Sequence, residues 1–224
     1  MAEIKTSFRG ARSFLDGDGS SSDPNPSCVP PDSLSQAAHA VARSELHLDI
    51  LNHSLRTFVY AVAISEREDL PWHEQENLPL LFTAAIFHDM GTTTSCDGPQ
   101  RFEVEGADAA VSFLNQHEIP EAKKHEVWVA IAVHTCSGIA ERISTLARAI
   151  RLAVLVDFKR SDMVELLGSE MIDQVEQVLP RGAPEKVLGD AVVEQATRQP
   201  TTWPGQLARS TREHSDWQGV NKEF

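Results

Sequence analysis

Residues 86–91, IFHDMG, place a histidine and an aspartate side by side at the end of an apolar run. If the run is a helix, Asp89 lies in the middle of its apolar stripe. Three apolar residues share that line at helical spacing: Leu78, Phe82 and Ala85. His88 lies at the edge of the same stripe. Because a buried carboxylate is strongly unfavourable without a balancing cation, the stretch predicts a helix whose polar end meets a cation in the interior.

Helical periodicity also runs through most of the remaining chain. From residue 32 onward, apolar residues recur every three or four positions, and no segment alternates as a strand does. Helices are expected at about 33–46, 49–68, 74–89, 103–116, 121–134 and 145–158, with weaker ones near 162–178 and 184–198. The fold class is therefore all-α, a compact bundle of short helices.

Composition divides the 224 residues into three parts. Residues 1–31 include DGDGSSSDPNPSCVPP, which is too poor in apolar residues to order itself, so they are expected to be a disordered tail. Residues 32–200 are the expected helical core. Residues 201–224 are expected to form an irregular C-terminal extension.

The charge balance and the cysteines restrict the class of partner. A net charge of −13 repels phosphate backbones, so no nucleic-acid partner is expected. No apolar run approaches ~20 residues and the N-terminus lacks a secretory apolar segment, so no membrane association is expected. The three cysteines lack pairing or zinc-finger spacing. A cytoplasmic protein acting on a small molecule is expected, and a homodimer stays open because helical domains of this kind often pair.

Inward-facing polar residues also occur on three other predicted helices. The helix at 49–68 has two apolar lines, one through Leu51, Leu55 and Phe58, and a second through Ile50, Tyr60 and Ile64 that contains His53. His134 aligns with Val127 and Ile131. Asp157 is in line with three apolar residues of its own helix, Leu146, Ile150 and Ala153. A lone inward histidine is more often a hydrogen-bonded core residue than a ligand, so the hypothesis depends on the whole constellation.

A divalent metal would neutralise both buried carboxylates at once. The candidate ligands are His53, His88, Asp89 and Asp157. Imidazole and carboxylate ligands suit Zn²⁺, Fe²⁺ or Mn²⁺. Two alternatives remain at this stage. Asp157 can instead pair with Arg151 or Arg160, and Arg56, one turn from His53, can supply the cation.

The order H…HD…D on consecutive helices resembles the HD-domain superfamily of metal-dependent helical hydrolases, over about residues 45–160. Three stretches are similar to the cyanamide hydratase (urea hydro-lyase) group of that superfamily: LNHSLRTFVYA at 51–61, FHDMGTTTS at 87–95 and RFEVEG at 101–106. Members of that group are described as zinc enzymes that add water to the nitrile of cyanamide. One position departs from the group, because Phe158 follows the last aspartate where cyanamide-active members carry an asparagine.

The resemblance implies that His53, His88, Asp89 and Asp157 hold a divalent ion, for which zinc is preferred. It also places His134, Glu103, Thr92 and Thr93 around the pocket. In a hydration reaction, His134 or Glu103 would relay a proton, and the two threonines would orient a small polar substrate. The threonines can equally cap the turn after Gly91, and Glu103 can simply favour the start of its helix.

Two other functions remain open. A phosphohydrolase acting on a nucleotide or another phosphomonoester needs cations for the phosphate, for which the candidates are Arg56, Lys159 and Arg160. A metal-stabilised helical domain that binds a ligand without turnover would use the same four metal ligands.

Overall fold

The computed structural model describes residues 8–15 and 27–206, and this part of the chain is helical with no strand. The α-helices are α1 Arg9–Ser13, α2 Ser33–Glu45, α3 Leu48–Glu68, α4 Leu78–Phe87, α5 Phe102–Leu114, α6 Glu121–Ala132, α7 Ala140–Ile143, α8 Thr145–Asp157, α9 Ser161–Leu167, α10 Ser169–Val178 and α11 Pro184–Arg198. Short 3-10 turns cover Pro71–His73, Met90–Thr92 and Thr94–Cys96. The prediction of an all-α bundle is confirmed.

Helix α3 is the centre of the bundle. It packs against α8 on one side and against α2 and α4 on others, and α1 and α11 also contact it. Its middle, from Phe58 to Ile64, is completely buried, as the two apolar lines in the sequence predict. None of the helices in the described ranges is both long and apolar enough to cross a bilayer.

The HD dipeptide stands just beyond a helix end. Helix α4 begins at Leu78, where Pro79 occupies the first turn, and it ends at Phe87 instead of continuing to Asp89. The chain then tightens into the 3-10 turn Met90–Thr92, which packs closely on α5. His88 and Asp89 therefore project from the junction of two helical segments, where backbone direction changes.

Part of the expected N-terminal tail is packed. Phe8 and Ala11 are buried in the core, and the Gly10 amide donates to Glu66 Oε1 at 2.7 Å. The rings of Phe14 and Phe58 lie 5.1 Å apart. Within the expected tail, residues 8–15 thus pack against α3, and Cys28 and Val29 are also buried in the core. The tail boundary at residue 31 stays a prediction. Residues 1–7 and 16–26 lie outside the described residues.

The expected C-terminal extension begins with a helical turn at residues 203–206. The Trp203 amide donates to the Pro99 carbonyl at 3.2 Å, so this turn lies against the segment that follows the HD dipeptide. Arg198 and Gln199, at the end of α11, bind Asp97 in the same segment. The rest of the extension, 207–224, is not among the described residues.

Candidate metal centre

Three side chains from α3 and the end of α4 meet in the protein interior. His53, His88 and Asp89 are buried, and one ligand atom from each lies within 4.8 Å of the others. The two imidazole Nε2 atoms are 3.0 Å apart. Asp89 Oδ2 lies 3.5 Å from Nε2 of His53 and 3.2 Å from Nε2 of His88. The structure thus brings together three of the four predicted metal ligands.

The hydrogen bonds at Nδ1 of His53 and His88 determine which ring nitrogen of each histidine faces the other candidate metal ligands. His53 Nδ1 lies 2.6 Å from Asp157 Oδ2, and His88 Nδ1 lies 2.6 Å from the Ala85 carbonyl oxygen. Carboxylate and carbonyl oxygens only accept, so both Nδ1 atoms carry hydrogen. In the neutral rings, both lone pairs are then on the facing Nε2 atoms. Two lone pairs at this distance repel unless a cation lies beside them.

The donor atoms also have the spacing that a small divalent ion requires. For ligand bonds of 2.0–2.1 Å in tetrahedral geometry, two donor atoms are about 3.3 Å apart. The three separations here are 3.0, 3.2 and 3.5 Å. Asp89 Oδ2 is buried and accepts no hydrogen bond of good geometry, so one carboxylate lone pair has no partner. The residues present therefore fit a divalent metal.

The pKa shifts of Asp89 and His88 also indicate a site that attracts positive charge. Burial raises the pKa of Asp89, but the adjacent His88, with His53 and His134, outweighs burial and holds that pKa well below its usual range. Burial lowers the pKa of His88, but the Asp89 carboxylate more than offsets it and the net pKa is raised. A proton on His88 and a divalent ion would each neutralise the negative charge of Asp89. Metal binding is therefore expected to displace that proton.

Asp157 lies behind His53 and outside the group of three. Its Oδ2 accepts from His53 Nδ1, while Oδ1 accepts from Arg56 Nε at 2.6 Å and Oδ2 also accepts from Arg56 Nη2 at 2.9 Å. Burial raises the pKa of Asp157, but His53 and Arg56 outweigh burial and hold it far below the usual range. In this arrangement Asp157 orients a histidine, and its role as a fourth metal ligand stays a prediction.

The predicted substrate-binding role of Arg56 does not fit its environment. The side chain is completely buried, and besides Asp157 it binds the carbonyl oxygens of Leu179 and Pro180 at 3.2 and 3.0 Å. Four of its five N–H groups are thus used inside the protein. Arg56 is the cation that neutralises Asp157, and contact with a substrate stays a prediction for it.

The two arginines suggested by spacing as partners of Asp157 have other partners. Arg151 reaches Glu141 at 3.4 Å and the His134 carbonyl oxygen at 3.2 Å, and Arg160 reaches Asp162 at 3.4 Å.

His134 forms one wall of the site. Its ring centroid is 4.9 Å from that of His88, and its Nε2 is 3.8 Å from Asp89 Oδ1. Nδ1 lies 2.7 Å from the Ile131 carbonyl oxygen and therefore donates to it. Burial, followed by the neighbouring His88, lowers the pKa of His134 to about 4. At neutral pH its Nε2 is consequently a lone-pair acceptor directed at the site.

Glu103 is buried at the start of α5 and held by two residues that sequence analysis missed. Arg101 forms a two-point ion pair with its carboxylate, and the Thr135 hydroxyl donates to Oε1 at 2.5 Å. Burial raises the pKa of Glu103, but Arg101 and then His134 outweigh it, and the net pKa is lowered. Neither Arg101 nor Thr135 lies on a helix with apolar periodicity, and the RFEVEG stretch contains Arg101 without indicating its role.

The hydroxyls of Thr92 and Thr93 are used within the turn. Thr92 Oγ1 donates to the Asp89 carbonyl oxygen at 2.7 Å, and Thr93 Oγ1 donates to that of Met90 at 2.7 Å. These bonds favour the alternative in which the threonines stabilise the turn after Asp89. Contact with a substrate stays a prediction for both. Phe158 also lies at the site, because the centroid of its ring is 5.2 Å from that of His53.

A comparison with protein families identifies the helical unit that carries this site. The family model of the HD domain matches residues 50–156. This stretch is therefore similar to an HD domain. The matched range contains His53, His88, Asp89 and His134, whereas Asp157 follows directly after it. The superfamily resemblance predicted from the H…HD…D order is confirmed.

Two relatives are similar to part of this chain. They are cyanamide hydratase DDI2 and cyanamide hydratase DDI3 of Saccharomyces cerevisiae, and each is 37% identical to it over 73 residues. The similarity covers 31% of this chain and 32% of each relative, so it spans about a third of the length of these curated proteins.

Proposed function

We propose that this HD-domain protein is a metal-dependent enzyme that activates water for addition to a small neutral substrate, as a hydro-lyase of the cyanamide hydratase kind. One observation carries the proposal. Two imidazoles present their Nε2 atoms to each other and to a carboxylate oxygen without a hydrogen-bond partner, in a fully buried setting. The partial similarity to two cyanamide hydratases supports the choice of substrate class.

The chain's own residues would hold the ion and exclude competing ligands. His53, His88 and Asp89 would bind it, and Asp157 and the Ala85 carbonyl would keep the two imidazoles in the required tautomer. A divalent ion supplies a Lewis acid that lowers the pKa of a coordinated water toward ~7. Three protein ligands, with or without Asp157 as the predicted fourth, would leave a position for water.

His134 is the better of the two proposed proton-relay residues. Its Nε2 faces Asp89 and is an acceptor at neutral pH, so it can take a proton from the attacking water and return it to the nitrile nitrogen. Both carboxylate oxygens of Glu103 already accept hydrogen bonds, from Arg101 and Thr135, so Glu103 is less available than His134 to take a proton from water. We assign Glu103 to the support of the pocket wall.

Replacement of His134 with glutamine is expected to lower kcat for the hydration reaction by about 10²- to 10⁴-fold, because the proton acceptor is lost. Metal content should stay at the wild-type level, which elemental analysis of the purified variant would measure. His39→Gln is the matched control, since His39 is also a buried histidine but lies on α2, which supplies none of the site residues. An active His134→Gln variant would remove this residue from the mechanism.

The cations suggested for a phosphate substrate are engaged elsewhere. Arg56 is buried against Asp157, Lys159 lies 3.1 Å from Glu176, and Arg160 pairs with Asp162 at the surface. A phosphomonoester would require such groups to turn toward the metal ligands. The arrangement therefore favours a neutral substrate such as a nitrile over a nucleotide.

The deciding experiment measures urea formation from cyanamide by zinc-loaded protein and by protein treated with a chelator. Urea formed only by the loaded protein supports the proposal. A parallel panel of nucleotide monophosphates and other phosphomonoesters tests the phosphohydrolase alternative, and phosphate release there would replace the hydro-lyase assignment. Full metal occupancy without turnover of either class would identify a non-catalytic binding domain and overturn the proposal.

A further inference from the structure

Three residues on one face of the first half of α3 bind a loop that is distant in sequence. This loop lies next to Asp157, on the side of His53 away from the other candidate ligands. Asp49, Asn52 and Arg56 recur at helical spacing on α3, and all three bind residues 179–183, which connect α10 to α11. The Asp49 carboxylate accepts from the Ala183 amide at 3.0 Å, and Asn52 Nδ2 donates to the Pro180 carbonyl oxygen at 3.1 Å. Arg56 binds that oxygen at 3.0 Å.

The backbone of this 179–183 loop is adapted to its close position on α3. Gly182 has φ +62°, a left-handed conformation that favours glycine. A Cβ atom there would also lie 2.2 Å from Asp49 Oδ1. A side chain at this position would therefore push the loop away from the residues of α3 that hold it.

The loop also places one positively charged side chain, that of Arg181, next to Asp157. Arg181 Nη1 donates to the Asp157 backbone carbonyl at 2.7 Å and lies 3.5 Å from Asp157 Oδ2. Its other terminal nitrogen binds Glu185 at the start of α11. Arg181 thus contacts Asp157, the last residue of α8, from one side, and Arg56 binds the carboxylate of Asp157 from the other.

These contacts form a continuous path from the loop to a metal ligand. Asp157 is buried and its carboxylate is held by two arginines, so it has little freedom to rotate. The same carboxylate binds His53 Nδ1 at 2.6 Å and thereby sets which nitrogen His53 presents to the metal group. A change in the loop can therefore reach His53 through a single intervening residue.

We infer that the 179–183 loop, which lies outside the matched HD domain, is a positioning element of the metal centre, with Arg181 and Arg56 as positioning residues for Asp157 and His53. The inference rests on the proposed metal site. Residues that orient a ligand without touching the metal typically change metal affinity by about 10- to 100-fold when they are removed. The loop's contribution should therefore be visible in metal binding itself, before any turnover is measured.

Arg181→Gln is the test variant, because Arg181 is partly exposed and its loss should leave the fold intact. Arg148→Gln is the matched control. Arg148 lies on the same helix as Asp157 and forms a two-point ion pair with Glu68 at 2.6 and 2.7 Å, but it does not contact the site. Zinc affinity is measured by competition with a chromogenic chelator, and the visible absorption of cobalt-substituted protein reports ligand geometry.

We expect Arg181→Gln to bind zinc about tenfold or more weakly than wild type and to alter the cobalt spectrum, because His53 is less well oriented. Arg148→Gln should keep wild-type values of both. A third variant, Asp49→Ala, removes a contact between the loop and α3 without touching Asp157, and it should change both quantities in the same direction as Arg181→Gln.

The outcomes separate this inference from the proposed function. If wild-type protein binds zinc and Arg181→Gln binds it equally well with an unchanged cobalt spectrum, the positioning role is wrong while the metal site stands. If Arg148→Gln weakens binding as much as Arg181→Gln, the effect is a general loss of stability and the inference also fails. Wild-type protein that binds no divalent ion would overturn the proposed function first.

Discussion

Replacing Asp89 with asparagine is expected to weaken zinc binding by more than about a hundredfold and to abolish turnover, because a negatively charged ligand is lost. Asparagine keeps the volume of the side chain, so the metal-free variant should still fold. The effect is best measured as thermal stability with and without zinc. A ligand present at 100 times its Kd stabilises the native state by about 2.7 kcal/mol, so wild-type protein should melt at a higher temperature with zinc and the variant should not.

The control for Asp89→Asn is Asp190→Asn, which removes an exposed carboxylate that pairs with Lys186 on α11. This variant should keep the full zinc-dependent rise in melting temperature. Zinc-dependent stabilisation of Asp89→Asn equal to that of wild type would mean that the Asp89 carboxylate is not a ligand. The ion would then have to lie elsewhere, and the proposed chemistry would lose its basis.

Helical periodicity was sufficient to bring the three central residues of the site together. His53 lies in line with apolar residues of α3, and Asp89 continues the apolar line of α4 just beyond the end of that helix, so burial of those faces directs both side chains inward. The cost of an unpaired buried carboxylate then makes a cation necessary. Because this argument uses only local spacing and charge, it required no knowledge of how the helices pack.

The partners of Asp157 follow only in part from local spacing. Spacing along α8 suggests Arg151 or Arg160, whereas Arg56 is indicated as a possible cation only because it lies one turn from His53. Arg56 and Asp157 are 101 positions apart, and their contact depends on how α3 packs against α8. Arg181 comes from a loop with no periodicity, so its contact with Asp157 follows only from the packing of the 179–183 loop on α3.

Composition was misleading at the N-terminus. The polar stretch that follows dominates residues 1–31, yet Phe8 and Ala11 are buried and α1 packs against α3. A five-residue helix has too few positions for a periodic signal, and its stability comes from tertiary contacts that a local window does not contain.

Replacing Gly91 with alanine is expected to lower the free energy of unfolding by about 3 kcal/mol or more, because a methyl group has no room there. A Cβ atom on Gly91 would lie 1.9 Å from the Phe102 carbonyl oxygen and 2.8 Å from the Gly106 amide nitrogen, both backbone atoms of α5. Side-chain rotation cannot relieve such contacts, so the turn and the helix must separate. Thermal unfolding should show a fall of roughly 6–12 °C at this chain length.

The displacement should also reach the metal centre, because Gly91 follows Asp89 by two residues in the same turn. Zinc affinity of Gly91→Ala is therefore expected to fall together with stability, whereas Gly189→Ala should change neither for the worse. Gly189 lies within α11 with no heavy atom within 4 Å of its added Cβ, and alanine is favoured there by about 1 kcal/mol. A Gly91→Ala variant as stable as wild type would show that the turn does not fix Asp89 through its contact with α5. The orientation of Asp89 would then depend on His88 and the end of α4 alone.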